Sequence, residues 1–139
     1  MRWVLLLLAA ALTLALGVAA CAEEEDGGGA GAPGGASSYT KNDPEYQLAS
    51  LDKGKVLDLN DPSIDAYARA LDAAEAKCTN GRTTISDYAV NGQRLLADEG
   101  IKVTLLQAVR AIDQSIPAGS PKLDCAEIAA AWVTLQMGQ

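Results

Sequence analysis

From Asp61 to the end of the chain, apolar side chains return every three or four residues, and this period decides the fold class. Ile64, Tyr67, Ala68, Leu71, Ala74 and Cys78 fall on one helical face, with Asp65, Arg69, Asp72 and Lys77 elsewhere on the wheel. Asp61-Pro62 starts this helix, the aspartate as N-cap and the proline at the first helical position, and Asn80-Gly81 is expected to stop it. A second helix is expected from Thr84, with Asp87 completing an approximate capping box and Ile85, Tyr88, Ala89, Gly92, Leu95 and Leu96 facing inward. Asn91-Gly92 is a turn signal within it. Gly92 nevertheless lies on the apolar face, where a missing side chain lets a neighbouring helix approach, so the helix is expected to run through to Gly100-Ile101. The third helix opens on a Thr104/Gln107 capping box with Val103 stapled to Ala108, carries Leu105, Val109, Ile112 and Ile116 inward, and ends at Pro117. The fourth is capped by Ser120-Pro121 or by Asp124 and turns Cys125, Ile128, Ala129, Trp132 and Leu135 inward. A shorter helix from Asp43-Pro44 to near Gly54 and an extended strap over 55–60 precede these four. Short connections favour antiparallel neighbours, so residues 39–139 are expected to form a small all-α domain, a compact bundle of about four helices.

The start of the chain reads as an address. Met1-Arg2 is followed by the apolar run from Trp3 to Leu16, and then by Val18-Ala19-Ala20-Cys21. A positive start, a short apolar stretch and small residues make up a secretory signal over residues 1–20. Val18-Ala19-Ala20-Cys21 resembles the lipobox of bacterial lipoproteins. The resemblance implies cleavage before Cys21, a diacylglycerol on its thiol, and display on the outer face of the cell membrane. Two readings compete with it. One is an uncleaved membrane anchor, since Trp3 to Ala22 spans 20 residues; the other is an ordinary signal peptide cut after Ala20. Residues 21–38 hold Glu23, Glu24, Glu25 and Asp26, and then a tract rich in glycine, alanine and serine without apolar periodicity. That composition cannot bury enough surface to offset its ordering entropy, and it is expected to act as a flexible linker with an end-to-end distance on the order of 20–25 Å.

With Cys21 lipidated, Cys78 and Cys125 remain. An even pair in an exported domain is expected to be a disulfide, stabilising the fold by ~4 kcal/mol in the chain-entropy model. Redox activity would normally use a close Cys-X-X-Cys pair, and two thiols without histidine make a poor zinc site.

Composition excludes several chemistries. The chain has no histidine, which removes the usual general base near neutral pH and the commonest transition-metal ligand. From Tyr39 onward it carries 14 acidic and 10 basic side chains, and no Lys/Arg stripe suited to nucleic acid. Asp58, Asn60 and Asp61 are oxygen donors in a short loop, but Pro62-Ser63-Ile64 departs from the calcium-loop pattern and capping accounts for Asp61. Asp98 and Glu99 are adjacent and point apart on a helix. Ser86, Ser115 and Ser120 have no activating partner in any recognisable motif. Tyr88 and Trp132 are read as core packing ahead of ligand contact. Arg69, Arg82, Arg94 and Arg110 are the basic side chains available to meet a partner. No catalytic residue, metal or cofactor is expected. The reading that results is a membrane-anchored, extracytoplasmic, non-enzymatic module that contacts another envelope protein. The alternatives are a small-ligand carrier and, behind it, an envelope enzyme.

Overall fold

Five helices follow one another in residues 38–139, the part of the chain that the computed structural model describes. They are α1 (Pro44–Lys53), α2 (Pro62–Lys77), α3 (Arg82–Asp98), α4 (Leu105–Gln114) and α5 (Cys125–Met137), and no strand accompanies them among these residues. The expected signal peptide, the expected lipidation site Cys21 and the expected linker up to residue 37 lie outside the described residues. None of the described helices is long and apolar enough to cross a membrane.

The sequence punctuation largely governs where the helices begin and end. Pro44 and Pro62 stand at the first helical positions of α1 and α2, and Asp61 accepts a hydrogen bond from the Ser63 N–H at 2.9 Å. The capping box of α4 is complete: Gln107 N–H donates to Thr104 Oγ1 at 3.1 Å, and Thr104 N–H donates to Gln107 Oε1 at 2.8 Å. Of the two starts open for the last helix, Asp124 caps it, accepting from the Ala126 N–H at 3.0 Å. Gly100, in the left-handed region at φ 78°, closes α3 in a paired arrangement. Its N–H donates to Ala97 O at 2.9 Å and the next N–H, of Ile101, reaches back to Leu96 O at 2.8 Å.

Four expectations need correction. α3 begins at Arg82, before Thr84, with Gly81 as N-cap and no capping side chain at that position. The Arg82 N–H is taken by Glu75 Oε1 of α2 at 3.3 Å, and Thr84 and Asp87, expected as a capping box, lie inside the helix. α2 stops at Lys77, ahead of Asn80-Gly81, because Cys78 is drawn into an extended conformation by a short parallel bridge to Leu123. Thr79 N–H donates to Leu123 O at 2.8 Å and Leu123 N–H to Lys77 O at 3.0 Å. On α5, Leu135 points outward and is 68% exposed, while Val133 is buried. Six residues beyond Ala129, Leu135 has rotated about 120° from the inner face at 3.6 residues per turn. Leu95 of α3 likewise stands half out of the surface.

The core is built from Leu48, Ile64, Leu71, Ile85, Leu105, Val109 and Ile112 with many alanines between them. α2 packs on α4 and α1, and α3 on α5 and α4. α1 is a full member of this core: Tyr46 is buried and its hydroxyl donates to Leu57 O at 3.0 Å, which pins the expected strap over 55–60. Side chains also cap helices other than their own. Lys77 of α2 donates to the C-terminal carbonyls of Asp113 and Ile116 at 2.9 and 3.0 Å, closing α4, and pairs with the Asp113 carboxylate at 2.8 Å. Asn80 Oδ1 accepts from the Cys125 N–H at 2.8 Å, at the start of α5. α5 touches α3 and α4 but neither α1 nor α2, so it forms one side of the bundle and faces outward along its length.

Candidate functional site

The cysteine pair is buried structure and not a reactive surface. Cys78 and Cys125 stand at disulfide distance with their Cα atoms 5.5 Å apart, and both are almost wholly excluded from solvent. The bridge between residues 78 and 123 and the Asn80 contact hold the same two segments together. Removal from solvent on all sides leaves no route for an external thiol.

The oxygen-rich residues singled out in the sequence also serve the fold. Asp58 Oδ1 accepts the Asn60 N–H at 2.8 Å, and Asp61 serves α2, so both carboxylates of that loop are engaged by backbone. Hydrogen bonds from the Ser63 hydroxyl and N–H hold the Asp61 carboxyl below its ordinary range. Ser86 and Ser115 turn their hydroxyls back onto the carbonyls of Arg82 and Ala111 at 2.9 and 2.7 Å. Asp98 and Glu99 are exposed at the end of α3. No group of three or more acidic or cysteine side chains suited to a metal ion occurs among the described residues.

The four arginines separate into different roles. Arg82 is engaged by three carboxylates: Glu45 Oε1 at 3.0 Å, Asp72, and Glu75 Oε2 at 3.6 Å. Burial works against its charge, but the carboxylates of Glu45, Asp72 and Glu75 outweigh it and raise its pKa. Glu45 is only 6% exposed, so Arg82 neutralises a buried charge and is not a free surface cation. Arg94 is exposed and donates to Asn91 Oδ1 at 3.3 Å. Arg69 and Arg110 are exposed on α2 and α4.

Two grooves flank α5. The first, about 400 Å³, runs between α3 and α5 over a floor of small residues, Gly92, Ala126, Ala129 and Ala130. Leu95 and Met137, both partly exposed, lie along it, and no charged residue lines it. Gly92 makes this floor possible. A Cβ there would sit 3.1 Å from Val133 Cγ2 and 3.3 Å from Trp132 Cζ3, so the two helices approach as closely as they do because a side chain is missing. The second groove, about 330 Å³, lies between α4 and α5 and is lined by Val103, Gln107, Arg110, Gln114, Trp132 and Gln136. Tyr88 and Trp132 are therefore more than core packing: each is half-buried against the core and lines one of the two grooves. A further exposed apolar pair, Leu51 and Val56, flanks the end of α1 around Gly54.

Sequence periodicity located α5 but not its outer surface. The signal was present, since among the 13 residues of α5 only Glu127 is charged. No protein-family model matches the chain, and neither does any curated protein or any solved structure.

Proposed function

We infer that the chain is a lipid-anchored extracytoplasmic module, held to the membrane through Cys21, that works by binding another envelope protein along the α3–α5 groove and not by catalysis. The observation that carries the contact is the outward side of α5. A helix facing water is normally lined with charge, yet beyond Glu127 this one presents Ala130, Ala131, Thr134 and Leu135, with Leu95 and Met137 at the groove margin. Small residues on the floor and larger apolar residues at the rim suit one apolar ridge of a partner helix. The domain is net negative from Tyr39 onward, and like charge opposes pairing with a second copy, so the occupant is a different protein. The anchor rests on the lipobox resemblance of Val18-Ala19-Ala20-Cys21, and the short tract after it keeps the domain close to the membrane, where that partner must also reside.

The test uses the full chain extracted from membranes in mild detergent. Wild type should migrate in a complex larger than itself. Leu95→Glu and Ala130→Glu, both at exposed positions, should migrate alone while melting at the wild-type temperature. Retention of both variants in the complex would overturn the reading, as would a complex made only of copies of this chain.

A further inference from the structure

The α4–α5 groove differs in chemistry from the α3–α5 groove. Gln107, Arg110 and Gln114 stand at intervals of three and four residues on α4, and Trp132 and Gln136 are one turn apart on α5. Helical spacing therefore brings three amides, one guanidinium and one indole to facing ridges of the same groove. Apart from Gln107 Oε1, which is committed to the α4 cap, these side chains have no hydrogen-bond or ion-pair partner among the described residues. No carboxylate lines the groove, although the domain as a whole is acidic. The indole is held on its α3 side, where its Cζ3 and Cε3 edge meets Gly92. A fixed aromatic surface ringed by unspent donors and acceptors is a recognition surface for a flat, polar, partly apolar molecule.

We propose that the α4–α5 groove binds a saccharide bearing a carboxylate, of the kind found in envelope glycans. The pyranose ring supplies a face of C–H bonds, weakly positive, that packs on the negative π-face of Trp132. Its neighbouring hydroxyls each both donate and accept, and the side-by-side N–H and C=O of Gln114 and Gln136 match such pairs. Arg110 is the one cation of the groove, and its planar guanidinium takes a carboxylate through two parallel hydrogen bonds. At about 330 Å³ the groove sits at the small end of ligand sites, which run from ~300 to 1,000 Å³, and suits one or two rings and not a folded partner. The proposal depends on the domain facing the extracytoplasmic side, but not on the α3–α5 groove having a protein partner.

The test is calorimetric titration of the purified full chain with four probes. Two are acidic: the disaccharide of N-acetylglucosamine and N-acetylmuramic acid, and a disaccharide containing glucuronic acid. The third, the neutral N-acetylglucosamine dimer, separates charge from ring contact, and the fourth, trialanine, offers a carboxylate without a sugar. At least one acidic disaccharide should bind saturably at about 1 mM or below, and the tighter of the two identifies the source. Arg110→Ala should weaken it about tenfold while leaving the neutral dimer unchanged, as expected for loss of one charge-assisted pair. Gln114→Ala and Gln136→Ala, both surface changes that keep the fold, should weaken acidic and neutral sugars alike by about threefold to tenfold. Absence of saturable sugar binding overturns the proposal. So does trialanine binding as tightly as the acidic sugars, or indifference of sugar binding to all three substitutions. Detergent partitioning and native migration of the same sample read the anchor and the protein contact separately, so failure here leaves those results standing.

Discussion

Asp52, in the last turn of α1, accepts the N–H of Leu105 at 2.8 Å, so a carboxylate from one helix caps another that starts 53 residues later. Its second oxygen takes the Leu106 N–H at 3.3 Å, and it also accepts from the Tyr67 hydroxyl and from Gln93 Nε2 at 3.2 Å. Gln93 in turn donates to Val103 O at 2.9 Å. One side chain thus ties α1, α2, α3 and α4 together. A negative charge at a helix N-terminus is favoured by the helix dipole as well as by the free amides. Asp52→Ala should therefore lower unfolding free energy by about 2–3 kcal/mol, more than an ordinary single hydrogen bond. Denaturant titration checks this, and a loss no larger than that of the local cap Asp124→Ala would count against the shared role.

The same network gives a pH dependence. Burial, and then the hydrogen bond and charge of Asp52, push the Tyr67 hydroxyl above its ordinary value of 10.0. The folded protein therefore keeps this proton where the unfolded chain releases it. Its contribution to stability is complete below pH 10.0 and is lost as pH rises beyond that value. Unfolding measured at stepped alkaline pH should show wild type losing stability more steeply than Tyr67→Phe. Parallel curves would contradict the assignment. The half-buried Tyr39, also raised through its hydrogen bond to Asp65, is present in both proteins and cancels.

Arg82→Ala should destabilise the domain by about 2–3 kcal/mol, a figure discounted because the arginine is partly exposed. The loss comes from stranding the Glu45 carboxylate, whose Oε2 already has no hydrogen-bond partner among the described residues. Adding Glu45→Gln to Arg82→Ala should restore part of the loss. Thermal unfolding of the two single variants and the double variant decides it, and simple additivity would show that the pair is not coupled.

Gly92 sets two effects against each other. Alanine gains about 1 kcal/mol of helix propensity, but its Cβ would press on Val133 and Trp132, so Gly92→Ala should change stability by less than about 1 kcal/mol either way. Gly92→Leu should cost about 2 kcal/mol or more by forcing α3 from α5. A tolerated leucine, with unchanged melting temperature, would mean that the close approach is not needed.

The sequence carried most of the helical frame and little of what joins it. Helix stripes and terminal caps are local, encoded by residues three or four apart, and the Thr104/Gln107 box, Gly100 and the uninterrupted helix through Gly92 were legible for that reason. Asp52, Lys77 and Glu75 act on helices other than their own, Asn80 reaches α5 from the connection before α3, and no short-range pattern marks a side chain that will cap a distant backbone. Arg82 read as a surface cation because the carboxylate that buries it lies 37 residues earlier. Leu135 was misplaced because apolar residues, four of them alanines, lie all round the 13 residues of α5, which blurs its apolar phase. Cys78 and Cys125 were easier: after Cys21 they are the only thiols left, and the fold brings them to disulfide distance. Alkylation of unreduced, denatured protein should label neither of them, and reduction should release two thiols.

The claim that this domain is a tethered contact module is tested most directly inside the cell, with the full chain carrying a photoreactive side chain at single exposed positions. Ala130 lies in the α3–α5 groove, whereas Ala73 is exposed on α2, which does not touch α5. Illumination should give a discrete crosslink to one envelope protein from Ala130 and none from Ala73. The Ala130 crosslink should disappear when Leu95→Glu is added, and again when Cys21→Ala releases the chain from the membrane fraction. Equal crosslinking from both positions, or an Ala130 product that persists through Leu95→Glu and Cys21→Ala, would contradict the account.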